Sequence, residues 1–181
     1  MAAILAGKMG LTGQTGRNQQ ITALLAFLGM IAVIATVLGF EHIGGYTPCK
    51  LCLGQREPYY MAIPLAGLAL ISTFFRWPAC VTRGLLAIGG LLMIYAMVLG
   101  IQHAGIEWGW WEGTGDCGGG GTVNDAGSLL DSLGTVKPPS CDEAAGRFLG
   151  LSFAGWNVVV SLILAAIAFR GAFGRAGSDA A

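Results

Sequence analysis

Charged residues are scarce in this chain. They make up 11% of its 181 residues, whereas soluble proteins average about 25%. Hydrophobic residues make up 54%. This shortage of charge indicates that much of the protein surface does not face water. The basic and acidic residues number ten each and cancel. A net charge of zero gives no electrostatic reason to expect a nucleic-acid partner.

Four long stretches contain no Asp, Glu, Lys or Arg: 21–40, 58–75, 85–101 and 151–169. An α-helix rises about 1.5 Å per residue, so about 20 residues cross a hydrocarbon core roughly 30 Å thick. Lipid offers the backbone no hydrogen-bond partner, so such spans should be helices. Four buried helices of a soluble protein would leave too little polar surface. The sequence therefore predicts an all-α membrane protein, a four-transmembrane-helix bundle forming a single membrane domain over residues 1–181.

Basic residues near the span ends predict the orientation. The N-terminal segment, the loop between the second and third spans and the C-terminal tail carry six of them: Lys8, Arg17, Arg76, Arg83, Arg170 and Arg175. By the positive-inside rule both termini are cytoplasmic. Residues 41–57 and 102–150 then form two outer loops, which hold nine of the ten acidic residues. We expect a multi-pass protein of the bacterial inner membrane whose outer loops are periplasmic, where disulfides persist.

Four of the five cysteines fall in these outer loops, and Cys80 lies beside the inner basic loop. In the first outer loop, TPCKLCLGQR places Cys49 and Cys52 in a C-x-x-C motif. A disulfide at this spacing closes a very small loop and stabilises little. Redox chemistry is therefore the better use of the pair. Two alternatives remain open, a structural disulfide and a zinc site completed by Cys117, Cys141, His42 or His103.

The surroundings of Cys52 favour a thiolate. Pro58 suits an early helix position, so the second span should begin just after Arg56. Cys52 would then lie near a positive helix end and a guanidinium, both of which lower a thiol pKa. Arg56 itself has two interpretations. It extends to the membrane interface to stay hydrated, or it holds the oxygen of a membrane-borne electron acceptor.

The second outer loop is about 50 residues long, a length typical of functional or disordered loops. A glycine tract follows Cys117 and would let that thiol move, while Cys141 lies in KPPSCDEAAGRF. A purely structural disulfide between these two cysteines is also open, and would stabilise the loop by roughly 3 kcal/mol. Between them, leucines at helical spacing predict a short amphipathic helix on the membrane surface: Leu129, Leu130 and Leu133.

The end of the third span carries HAGIEWGWWEG. Its tryptophans, Trp108, Trp110 and Trp111, are typical of an interfacial aromatic belt. His103 at the lipid boundary is either a hydrogen-bonded interfacial histidine or a group that delivers or accepts protons near neutral pH. We therefore keep His103 as a candidate residue of the acceptor site.

Taken together, these motifs resemble the DsbB family of bacterial inner-membrane thiol–quinone oxidoreductases. The resemblance covers about residues 20 to 170. It depends on PCKLCLGQR before the second span, on a two-cysteine loop after the third, and on FLGLSFAGWN at the start of the fourth.

The resemblance implies a role for each matching residue. Cys117 and Cys141 correspond to the loop disulfide that accepts electrons from a reduced DsbA-like periplasmic thiol oxidase, with Cys117 forming the mixed disulfide. Cys141 would then attack Cys49. Cys52 corresponds to the cysteine that meets the membrane quinone, ubiquinone or menaquinone, and Arg56 to the arginine that supports quinone binding. Cys80 matches no functional cysteine of the family.

Three other functions remain possible from the residues themselves. A membrane scaffold with structural disulfides would be insensitive to quinone, and a metal-binding membrane module would hold zinc. A carrier of reducing power across the membrane would place its cysteines within the spans, whereas these lie outside them.

Overall fold

The computed structural model describes residues 15–112, 141, 144 and 146–174. The elements, in chain order, are α1 (Arg17–His42), α2 (Lys50–Gly54), α3 (Glu57–Phe74), α4 (Ala79–Glu107), β1 (Arg147–Phe148), β2 (Leu151–Ser152) and α5 (Phe153–Phe173). Cys117 and the predicted amphipathic helix at Leu129, Leu130 and Leu133 lie outside the described residues.

The helical fold class is confirmed, and each predicted span coincides with a long helix. By length and composition α1, α4 and α5 could each cross a membrane. The helix α3 has 18 residues, begins with Glu57, contains Pro58 and Pro64, and is not among those three helices. It packs against both α1 and α4 within the bundle. Its membrane crossing therefore stays a prediction.

The helix of the fourth predicted span, α5, begins later than expected, at Phe153 rather than at residue 151. Leu151 pairs with Phe148 in a short antiparallel hairpin. Both residues of the connecting turn, Leu149 and Gly150, have positive φ values of 51° and 83°, as a type I′ hairpin turn requires. Ser152 then caps α5 by accepting the N–H of Gly155 at 3.2 Å. The apolar pattern of this stretch concealed a turn from the sequence analysis.

Small residues allow the helices to approach closely, most of all between α4 and α5. A Cβ added at Gly100 would lie 2.9 Å from Val158 Cγ2 and 3.3 Å from the Ala154 carbonyl oxygen. Helix association in lipid depends on such close packing. The main core is accordingly rich in alanine and consists of Ala26, Met30, Tyr59, Ala62, Ala66, Met93, Ala96, Leu164 and Ala165.

We expect Gly100→Val to lower the stability of the bundle by about 1–3 kcal/mol, because the new side chain overlaps α5. The matched control is Gly84→Val in the same helix, where an added Cβ meets nothing within 4 Å. Both substitutions carry the same β-branched cost in a helix. Thermal unfolding midpoints in detergent measure the difference, and equal midpoints for the two variants would contradict this packing.

The two ends of the bundle differ. At one end α1 and α4 begin and α5 ends, and Arg83 Nη2 and Gln19 Nε2 both donate to the Gly174 carbonyl, at 2.9 and 3.4 Å. The exposed Cys80 lies at this end. At the opposite end the connection between α1 and α3 meets the last turns of α4. Cys49 and Cys52 lie there.

Candidate active site

Cys49 is the N-cap residue of the short helix α2. Its backbone is extended, and its sulfur accepts the backbone N–H of Cys52 at 3.3 Å. This cap brings the two sulfurs together, with Cys49 Sγ 2.8 Å from Cys52 Sγ. Cys49 is buried and Cys52 half-buried. The C-x-x-C spacing thus forms a facing pair of thiols through one turn of helix.

The contact polarises the pair. The S–H of Cys49 donates to the sulfur of Cys52, which together with burial raises the pKa of Cys49 to about 12. The same hydrogen bond lowers the pKa of Cys52 below its usual value of 9.0. Cys52 is therefore the more acidic thiol of the pair. The leading cause is its hydrogen bond with the Cys49 thiol, which the sequence analysis did not consider.

This polarity has a measurable consequence. Because the pKa of Cys52 is lowered, its reactive thiolate should persist as pH falls below 9.0 and be lost only at the depressed pKa. Cys49→Ala removes the donor, so the pH midpoint of Cys52 alkylation should move upward. Iodoacetamide labelling of the reduced protein across pH, read by peptide mass spectrometry, gives this midpoint. An unchanged midpoint would show that Cys49 does not stabilise the thiolate.

Cys141, near the end of the second outer loop, lies beside Cys49. It is 1% exposed, and its sulfur, Cys49 Sγ and a ring nitrogen of His103 all lie within 4.8 Å of one another. Three of the four predicted catalytic cysteines therefore come together. The fourth, Cys117, is outside the described residues.

His103 is buried on α4 beside the thiol pair. Its Nε2 lies 3.7 Å from Cys49 Sγ and 3.7 Å from Glu107 Oε1, one helical turn away. Its Nδ1 lies 2.7 Å from Gln55 Nε2. Glu107 Oε2 is buried and has no hydrogen-bond partner among the described residues. Glu107 and Gln55 were not predicted as site residues from the sequence, although the i,i+4 spacing of His103 and Glu107 places both side chains on one face of a helix.

Arg56 is the N-cap residue of α3 and is 9% exposed. Its Nη1 lies 2.5 Å from Glu41 Oε2 at the end of α1. The guanidinium is therefore held inside the protein by an ion pair and does not extend toward water. A buried charge of this kind needs such a partner. Glu41 was not singled out from the sequence.

An apolar cavity of about 550 Å³ opens beside the thiol pair, a size typical of small-molecule sites. Its polar end contains Cys52, Gln55, Arg56 and His103. Aromatic rings line the wall nearby, with Phe153 centred 5.1 Å from Phe40 and 5.7 Å from Tyr46. Aliphatic residues of α1 and α5 continue the wall, including Val33, Val37 and Val160. A flat, mostly apolar molecule would fit this cavity with its polar edge at Cys52 and Arg56.

Paired thiols that lie beside a third cysteine and an apolar cavity suit a membrane disulfide oxidoreductase. More specifically, the chain belongs to the DsbB family, because the family model described as Disulfide bond formation protein DsbB matches residues 19–170. It is therefore a membrane protein that takes part in disulfide bond formation.

Individual relatives agree. Disulfide bond formation protein B of Saccharophagus degradans is 30% identical over 155 residues, covering 81% of this chain and 88% of that protein. The protein of the same name from Marinobacter nauticus is 30% identical over 153 residues, covering 77% and 83%. No solved structure matches the chain.

Proposed function

We propose that this protein reoxidises a DsbA-like periplasmic thiol oxidase and passes the electrons to a membrane quinone. One observation carries the proposal. The sulfur of Cys141 lies within 4.8 Å of Cys49 Sγ, Cys49 Sγ is 2.8 Å from Cys52 Sγ, and Cys52 lines the apolar cavity. The three sulfurs thus form a path from the second loop to a site for an apolar acceptor.

Thiol–disulfide exchange moves the electrons along this path. A thiolate of the oxidase attacks Cys117 of the loop disulfide and releases Cys141 as a thiolate. Cys141 attacks Cys49 of the second disulfide and releases Cys52. The second oxidase thiolate resolves the mixed disulfide, leaving the oxidase oxidised and Cys117 reduced.

Two further exchanges restore the loop. The thiolate of Cys117 attacks Cys141, which reforms the loop disulfide and releases Cys49. Cys49 and Cys52 are then a dithiol that holds the two electrons and two protons taken from the oxidase. Their loss returns the pair to a disulfide and closes the cycle.

The cavity fits a quinone. When bound, a quinone would supply the acceptor for the two electrons and two protons of the dithiol. The Arg56 guanidinium would stabilise negative charge on a quinone oxygen at the polar end, as preorganised donors do. Glu41 holds Arg56 in place. The rings of Phe40, Tyr46 and Phe153 offer apolar faces to a flat ring, and the apolar wall suits an isoprenoid tail of either ubiquinone or menaquinone.

The same proposal includes the orientation in a bacterial inner membrane. Arg17 and Arg83 lie at the end of the bundle where α1 and α4 begin, and Arg170 lies where α5 ends. With Arg76 this end has four arginines, whereas the opposite end of the described residues has two, Arg56 and Arg147, and Lys50. The greater number of arginines supports a cytoplasmic location for that end and for both termini. The thiol pair at the opposite end then faces the periplasm, where a soluble oxidase and a lipid-dissolved quinone are both within reach.

The test uses the purified protein in detergent with a reduced thiol oxidase and ubiquinone, followed by quinone absorbance. Quinone loss that requires both the protein and the reduced oxidase is the expected result. If ubiquinone is not consumed, menaquinone is the second substrate to try. A folded protein that reduces neither quinone would contradict the proposal and favour a scaffold with structural disulfides.

One observation favours a second candidate, metal binding. Cys49, His103 and Cys141 are all buried and place their ligand atoms within 4.8 Å of one another, and sulfur and imidazole nitrogen suit zinc. A metal-binding module would retain about one zinc ion per reduced protein after dialysis, with the ion lost in Cys141→Ser. The redox relay predicts no such stoichiometric zinc.

A further inference from the structure

Four polar side chains form a continuous hydrogen-bonded chain through the apolar bundle. The Tyr59 hydroxyl lies 2.8 Å from Asn157 Oδ1, and Asn157 Nδ2 lies 2.7 Å from Gln55 Oε1. Gln55 Nε2 lies 2.7 Å from His103 Nδ1. The chain therefore joins α3, α5 and α4 and ends one contact away from Cys49.

A backbone carbonyl sets the direction of this chain. The carbonyl oxygen of Ala96 lies 3.3 Å from the side-chain nitrogen of Asn157, and a carbonyl can only accept a hydrogen bond. The Asn157 amide must therefore turn its NH₂ group toward Ala96 and Gln55. Gln55 meets that NH₂ with its own oxygen, so its NH₂ faces His103. The ring nitrogen Nδ1 of His103 must then be the acceptor.

A neutral imidazole that accepts at Nδ1 carries its proton on Nε2. That N–H faces two acceptors, the Cys49 sulfur at 3.7 Å and the Glu107 carboxylate at 3.7 Å. A proton on Nδ1 would set an N–H against the Gln55 NH₂ group, so these contacts oppose the Nδ1–H tautomer. They favour a hydrogen-bond donor at Nε2.

We propose that Asn157 and Gln55 are positioning residues that hold His103 as the neutral Nε2–H tautomer, which donates a hydrogen bond to the Cys49 sulfur. The catalytic consequence depends on the function proposed above. When Cys117 attacks Cys141 of the interloop disulfide, Cys49 departs as a thiolate. A hydrogen bond from Nε2–H stabilises that thiolate and makes it a better leaving group.

The ring nitrogens can be observed directly. The full sequence contains two histidines, His42 and His103. In untagged protein labelled with ¹⁵N-histidine, the variant His42→Gln therefore leaves His103 as the one labelled residue. The expected NMR pattern is an unprotonated Nδ1 and a protonated Nε2. A protonated Nδ1 in this protein would overturn the proposal.

Two substitutions should place a proton on Nδ1. Gln55→Glu places a carboxylate against Nδ1, which then becomes protonated. Asn157→Asp takes the NH₂ donor from Gln55, so the Gln55 amide turns over and presents its oxygen to Nδ1. The matched control is Gln102→Glu, which adds the same charge beside His103 on the exposed side of α4 and should leave the ring pattern unchanged. If neither Gln55→Glu nor Asn157→Asp protonates Nδ1, the chain does not set the tautomer.

Turnover gives the second readout. Loss of the donor to a thiolate should lower kcat at saturating quinone by roughly tenfold in Asn157→Asp, with Gln102→Glu at the wild-type rate. A reversed ring pattern with unchanged kcat would refute the catalytic part. A wild-type protein with the expected ring pattern that reduces no quinone would instead refute the function proposed above, so the two failures are distinguishable.

Discussion

Cys49→Ser is expected to insert into the membrane and fold normally, but to reduce quinone only at the uncatalysed background rate. Cys49 Sγ is the junction of the proposed path, 2.8 Å from Cys52 Sγ and within 4.8 Å of the sulfur of Cys141. Serine preserves the size of the side chain and its ability to cap α2. It cannot form either disulfide, so electrons from the second loop have no route to Cys52. The assay is quinone absorbance with a reduced thiol oxidase as donor.

The control for this variant is Cys80→Ser. Cys80 is exposed at the opposite end of the bundle, so its removal should leave the rate unchanged while testing the same chemical substitution. A Cys49→Ser protein that still turns over would mean that Cys141 reaches Cys52 directly, and the proposed order of exchange would be wrong.

Arg56→Ala is expected to raise the apparent KM for quinone by roughly tenfold to a hundredfold, the size of a lost hydrogen bond from a charged donor. Arg56 lines the polar end of the cavity beside Cys52. Exchange with the thiol oxidase involves the second loop and should be little affected. Steady-state kinetics with quinone varied at saturating oxidase, and then the reverse, separate the two effects.

Removal of Arg56 also leaves the Glu41 carboxylate without the partner that it has at 2.5 Å. The double variant Arg56→Ala with Glu41→Gln removes this unpaired charge. If the double variant keeps the raised KM, the guanidinium itself acts on the quinone. Recovery of the wild-type KM would mean that Arg56 serves only to neutralise Glu41, and the quinone-binding role would be refuted.

The sequence was sufficient for the features that depend on short stretches of chain. Four uncharged stretches predicted the four long helices, because the length of an apolar stretch predicts a spanning helix without any knowledge of tertiary contacts. The C-x-x-C spacing predicted the thiol pair, because one turn of helix is enough to bring Cys49 and Cys52 together. The hairpin at Phe148 and Leu151 was missed, since its turn uses Leu149 at positive φ rather than the asparagine or glycine typical of such turns.

Everything that connects distant parts of the chain required the tertiary structure. The burial of Cys141 against Cys49, the ion pair of Arg56 with Glu41, and the direction of the amide chain from Asn157 to His103 each join segments that are far apart in sequence. No local pattern encodes these contacts, because each joins side chains of different elements. Only the amide chain depends on the close approach of α4 and α5, where Gly100 contacts Asn157 and Ala154. The sequence by itself determined which chemical groups the protein has. The packing of the helices decided which of those groups meet, and therefore that a thiolate, an arginine and a histidine surround one apolar cavity.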